Sequence, residues 1–134
     1  MLNHWEDLVP GVLLSIEKKA NNYTSFQWAL YIGDGKAWPL YVSRSSFGED
    51  YVKMTLDPIM NLAEQVGSIY AFSTYKRNEP VSATGISDIV ASTPQQRTDS
   101  YLIMRYFPVQ EYTVEQLSKM LGRKVKIVGN KEAE

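Results

Sequence analysis

The run from Ser25 to Ile32 constrains the fold more than any other part of the chain. Phe26, Trp28, Leu30 and Ile32 alternate with Gln27, Ala29 and Tyr31. A period of two places these sets on opposite faces of an extended strand. Gly33-Asp34-Gly35 follows directly and supplies a tight turn, after which Lys36 to Ser43 continues as a second strand. The pair reads as a β-hairpin. Pro39 has no N–H to give to a ladder, so the second strand is expected to be an edge or to carry a bulge there. A hairpin alone is marginal in water, so the rest of the chain must build onto it.

Several segments are suited to that. Pro10-Gly11 is a turn signal, and Val12 to Ile16 then reads as a strand ending in a loop at Asn21-Asn22. Ser43 to Asp50 is a polar loop. Asp57-Pro58 opens a predicted helix, with Ile59, Leu62, Ala63 and Val66 as its apolar stripe and Gly67 closing it. Ser68 to Tyr75 is a strand, and Lys76 to Pro80 a turn. Ile86 to Ala91 is a short helix, with Gly85 unfavourable beside it. Ser100 to Phe107 is another strand. Thr113 caps a last helix, with Gln116 at the capping-box position and Tyr112 and Leu117 at the staple positions. Val114, Leu117 and Leu121 face inward, Gly122 ends the helix, and Val125 to Val128 forms a final short strand. Five or six strands with two or three helices give the α+β class: one domain over residues 1–128, an antiparallel β-sheet, and a flexible tail at 129–134.

Composition narrows the chemistry. The chain has 134 residues, 44% of them hydrophobic, enough to bury one core. It has no cysteine, which removes disulfides, thiolate metal sites and a cysteine nucleophile. Its one histidine, His4, removes any histidine-rich metal site and stands far from any Gly-x-Ser-x-Gly elbow, which is absent. His4 reads as a terminal surface residue. Gly33-Asp34-Gly35 lacks Walker spacing, so a hairpin turn outweighs a phosphate loop. Glu49 or Asp50 with Glu79 would be a carboxylate pair, but nothing in the spacing joins them, and they read as exposed loop acids. No catalytic residue, metal or cofactor is expected. No run approaches the about 20 apolar residues that span a bilayer, and Met1 to Asp7 lacks the basic start and apolar centre of a signal peptide. The Asn22-Tyr23-Thr24 sequon is read as chance, and the expected location is the cytoplasm.

The net charge of −1 gives no global attraction to nucleic acid. The basic residues are uneven, however: Lys119, Arg123, Lys124, Lys126 and Lys131 follow one another without an acid between them. Lys124 and Lys126 alternate with Val125 and Ile127 and share the outer face of the final strand. This stripe suits phosphate backbone or an acidic partner, and equally suits an edge guarded by lysines against aggregation.

Val9-Pro10-Gly11-Val12-Leu13-Leu14-Ser15-Ile16, followed by Phe26-Gln27-Trp28-Ala29-Leu30-Tyr31-Ile32-Gly33-Asp34-Gly35, resembles the front of the lecithin:retinol acyltransferase (LRAT)-like proteins. These include the phospholipase/acyltransferase tumour suppressors and the H-box/NC type of picornaviral 2A protein. Leu62 to Gly67 resembles the helix before that family's Asn-Cys box, whose Asn falls on Asn78. The resemblance covers about residues 9–91 and implies a permuted papain-like architecture.

The departures fall on the catalytic positions. The H-box histidine falls on Gln27, beside Trp28; the second histidine falls on Pro39 or Trp38; the nucleophilic cysteine falls on Glu79. An amide cannot take a proton at neutral pH, and a carboxylate does not replace the thiolate. The resemblance therefore implies the scaffold without its chemistry: a pseudoenzyme that binds host or viral proteins, with Gln27 and Glu79 as polar groups of a relic site hydrogen-bonded to each other, located in the host cytoplasm if viral. Two other readings stand beside it: an RNA-binding module using Lys119, Arg123, Lys124 and Lys126, and an enzyme of unrelated mechanism. Pairing of copies through an edge at Pro39 or the last strand would make a homo-oligomer.

Overall fold

The hairpin grows into a meander. Strands β1 (Leu13–Lys19), β2 (Thr24–Gly33), β3 (Lys36–Arg44) and β4 (Asp50–Met54) are joined antiparallel in sequence order. Strand β5 (Met60–Asn61) pairs with the start of β3, β6 (Ile69–Phe72) with the free side of β1, and β7 (Leu102–Tyr106) with β6. The resulting sheet is seven-stranded, in the order β4-β3-β2-β1-β6-β7 with β5 beside β3. Helices α1 (Ala83–Ala91) and α2 (Pro94–Ser100) connect β6 to β7. This is a computed structural model describing residues 1–48 and 50–108, together with Glu115, Lys119 and Gly122. It is an α+β domain with an antiparallel sheet and two helices, as the sequence predicts at that level.

The central strands are buried on both faces. Leu14, Ile16, Ala29, Tyr31, Ile69 and Ala71 pack on one side, with Leu62 and the N-terminal residues Leu2, Trp5 and Leu8. Leu13, Leu40, Phe72 and Leu102 pack on the other, under Ile86, Ile89 and Val90 of α1. Leu13, Leu14, Ile16 and Ile89 are fully enclosed, each worth about 1.5–3 kcal/mol relative to exposure. The N-terminus is tied to the last strand, where Leu2 N–H donates to Ile103 O at 3.0 Å and Leu2 O accepts from Arg105 N at 3.3 Å.

Pro39 is neither on an edge strand nor at a bulge: β3 lies between β2 and the β4 and β5 strands, and the irregularity of the hairpin falls at Tyr31–Gly33. The Pro39 carbonyl accepts from Thr55 N–H at 3.0 Å, so the backbone of Pro39 faces the outer side of β3. There β5 lies opposite Lys36 and Ala37, and β4 ends with Met54 opposite Leu40. The missing N–H falls in the gap between two partners and costs no ladder bond.

The predicted helix at 57–67 does not form. Asp57 has φ 72°, Met60 and Asn61 pair with β3, and only a 3-10 turn, Leu62–Glu64, remains. The stripe fails because only Leu62 is buried; Ile59 is 53% and Val66 80% exposed. Competing backbone bonds win, with Leu62 N donating to Gly35 O at 2.8 Å and Asn61 Oδ1 accepting from Ala63 N at 3.2 Å. Gly67 ends no helix. A Cβ there would lie 1.5 Å from the carbonyl oxygen of Glu17, so glycine permits a close backbone approach.

Two further elements were not anticipated. β4 takes the stretch after the predicted polar loop, which shrinks to a turn after Arg44. α2 forms over Pro94–Ser100, where Thr93 and Gln96 make a capping box with Pro94 in the first turn. Of the C-terminal helix expected from Thr113, Glu115 and Lys119 are described as helical and Gly122 has φ 70°. The strand expected at 125–128 and the tail at 129–134 lie outside the described residues. No helix among the described residues is long and apolar enough to cross a membrane.

Candidate functional site

The hairpin brings together part of the site that the resemblance implies. Ala29 pairs with Pro39, so Gln27, two residues from Ala29, and buried Pro39 share one face of adjacent strands. The Gln27 side chain is committed to backbone. Its Nε2 donates to Leu40 O at 2.9 Å and to Trp28 O at 2.6 Å. The side chain of Trp28 is on the opposite face, against Phe72. Trp38 Nε1 donates to Thr55 O.

Asn78 and Glu79 are placed elsewhere. Val81 N–H donates to Gly11 O, and Gly11 N–H donates to Tyr31 O. These bonds hold the 78–81 segment beside Gly11 and Tyr31, about 13 Å along β2 from Gln27. The Asn78 side chain accepts from Val9 N at 3.1 Å and donates to Asp7 O at 2.8 Å, clamping the entry to β1. The Glu79 carbonyl accepts from buried Ser73 Oγ at 2.8 Å. The expected Gln27–Glu79 hydrogen bond is not formed, because β-strand length separates them. Between Ser73 and Asn78 the chain turns through Tyr75 and Lys76, both at positive φ (59° and 55°). Such conformations cost about 1–3 kcal/mol each in non-glycine residues, so the clamp is built under strain.

The other candidates stay apart. His4 is exposed, its Nδ1 3.9 Å from Glu6 Oε1. Lys119 is exposed. Glu49, Arg123, Lys124, Lys126 and Lys131 lie outside the described residues. No group of three or more potential ligating side chains is suited to hold a metal among the described residues.

The most developed concavity is one that the sequence reading missed. It is a cleft of about 720 Å³ between the sheet and the α1–α2 corner. Trp28, Tyr70 and Phe72 line its sheet side, Val90, Pro94 and Thr98 its helical rim, and Phe26 and Phe107 its outer part. Ser15, Glu17, Arg97 and Arg105 also line it. Arg97 is built in by α2. Its Nε donates to Ile89 O at 3.1 Å, and its Nη2 to Ser92 O at 2.7 Å and Val90 O at 3.3 Å. These bonds satisfy the last carbonyls of α1. The guanidinium lies 5.0 Å from the Trp28 ring centre, a cation–π distance. Burial lowers its pKa from the ordinary value, yet an arginine keeps its charge at neutral pH. A second cavity, of about 770 Å³, adjoins at the end of β1, and Glu17 and Phe107 line both. The signal for this site was present in Thr93-Pro94-Gln95-Gln96, a helix start that places Arg97 one turn in.

Comparison of the chain with protein-family models, with curated proteins and with solved structures finds no significant match.

Proposed function

We propose that this chain is a non-catalytic interaction protein on an LRAT-like, H-box/NC-type scaffold, comparable with the picornaviral 2A proteins of that type, and that it acts by binding host or viral proteins. The observation that carries this reading is the use made of Gln27. At the position of the family's base, its amide is spent on two backbone carbonyls of the β2–β3 hairpin. Asn78, at the position of the Asn-Cys box, is spent in the same way on Asp7 and Val9. A base must be within hydrogen-bond reach of the nucleophile it serves. Side chains here act as struts, and the carboxylate at position 79 is not presented to Gln27. The hairpin that places Gln27 and Pro39 on one face supports the scaffold assignment.

The test is an affinity capture of the full chain from cell lysate, run with and without nuclease and paired with acyl-ester turnover assays. A stoichiometric protein partner that survives nuclease and is lost in a surface-charge variant supports the reading. Recovery of RNA, with proteins lost after nuclease, replaces it with RNA binding. Ester or thioester turnover that Glu79→Ala abolishes overturns it.

A further inference from the structure

The floor of the 720 Å³ cleft has a specific shape. Ser15 is buried on β1 and pairs with Trp28 on one side and Tyr70 on the other. A small residue thus sits between two aromatic ones on flanking strands. Those strands are two sheet spacings apart, about 9–10 Å. The result is a slot with a hydroxyl floor and aromatic walls. At its inner end lie Leu13, Phe72 and Ile89, all buried. At its outer end lies Glu17, two residues further along β1 and about 7 Å from Ser15, flanked by Phe26 (58% exposed) and Phe107 (60% exposed).

Charge is arranged around the slot. Arg97 stands over Trp28 on one wall, and Arg105 pairs with Tyr70 on the other. Nη1 of Arg97 has no hydrogen-bond partner among the described residues and is not sealed from solvent. Neither the Arg105 guanidinium nor the Glu17 carboxylate has a polar side-chain partner among the described residues. Two cations against one carboxylate favour an anionic ligand. The aromatic walls favour a flat ring. The carboxylate at the mouth favours a ring edge that carries N–H donors. The volume lies in the range of small-molecule sites, about 300–1,000 Å³.

One class of ligand carries all three features, and we infer that the cleft over Ser15 binds a nucleotide. The base enters between Trp28 and Tyr70, its N–H edge donates to Glu17, and its phosphate is held by Arg105 and Arg97 Nη1. Guanine, with adjacent N1–H and N2–H donors, matches a carboxylate bidentately and is the expected base. This site is independent of Gln27 and Glu79, whose side chains belong to the opposite face and the far end of the sheet, so it stands or falls apart from the scaffold reading.

The experiment is calorimetric titration of the full chain with GMP, UMP, guanosine, phenyl phosphate and inorganic phosphate. Arg105→Gln and Glu17→Gln are the variants, because both residues sit at the mouth and outside the buried core. GMP is expected to bind more tightly than every other probe. Arg105→Gln is expected to weaken GMP about tenfold while leaving guanosine unchanged, the ordinary loss for one charge-assisted contact. Glu17→Gln is expected to weaken GMP and guanosine but not phenyl phosphate. Unchanged urea midpoints establish that the variants are folded. No saturable binding of GMP by the folded wild-type chain overturns the inference. So does phenyl phosphate or phosphate binding as tightly as GMP, which would make the cleft an anion site without base recognition.

Discussion

Substituting Gly67→Ala separates a helix-ending glycine from one required by backbone contact. If Gly67 closed a helix in the left-handed region, alanine would cost about 1 kcal/mol. If it were an ordinary loop residue with free space, alanine would stabilise by about 0.4–1 kcal/mol through the unfolded chain. The structure predicts a larger loss. The new Cβ would lie 1.5 Å from Glu17 O and 2.7 Å from Glu17 C, where real contacts essentially never fall below 3.0 Å. The two backbones must therefore part by about 1.5 Å. Glu17 N–H donates to Ser68 O at 2.7 Å, and that separation takes it out of hydrogen-bond range. The bond and its unsatisfied groups account for about 1–2 kcal/mol. Partial opening of the adjacent Ile16–Ile69 pair, both fully buried, adds about 1–2 kcal/mol more. The expected total is about 3 kcal/mol, or roughly 12 °C in Tm for a domain of this size. Urea unfolding followed by far-ultraviolet circular dichroism measures it, with a constant m-value as the check on two-state behaviour. A loss below about 1 kcal/mol, or any gain, refutes the close-approach argument.

Four further outcomes follow from the same geometry. Gln27→Ala should cost about 1–2 kcal/mol in urea unfolding by freeing two carbonyls. Gln27→Glu should cost more at pH 7, because a carboxylate would face those carbonyl oxygens. The acid's folded pKa would be raised, so the deficit should shrink as pH falls through it and the protonated form donates again. Gln27→His combined with Glu79→Cys should be acylated by p-nitrophenyl ester no faster than Glu79→Cys alone, as followed by intact-mass spectrometry, because the 78–81 segment is tied at the Gly11–Tyr31 end of the sheet; acylation accelerated by the histidine would show that the two positions meet. Ile89→Ala should cost about 2–4 kcal/mol in urea, since this fully enclosed side chain anchors α1 to Leu13 and Phe72.

What the sequence determined by itself is local and periodic. The alternation of Phe26 to Ile32 and the Gly33-Asp34-Gly35 turn specify the hairpin, because side-chain period and turn chemistry are properties of the chain alone. Pro39 marked a residue with no N–H to donate, but not that its strand would lie inside the sheet. The absence of cysteine and the single histidine bounded the chemistry before any folding. The tertiary structure decided what depends on who comes next to whom. Asp57 to Gly67 has helical spacing, yet a free edge of β3 offered backbone bonds to Met60 and Asn61, and the surroundings gave Ile59 and Val66 nothing to pack on. Gly67 looked like a stop signal and is a contact point with a residue fifty positions away in the chain. The resemblance grouped Gln27 with Glu79, but strand length set the two apart. The cleft was invisible because Ser15, Trp28, Tyr70, Arg97 and Arg105 come from five different elements. Only the register of β1 against β2 and β6 sets a small side chain between two aromatic ones. Pairing register is a long-range property, and no local pattern in the chain records it.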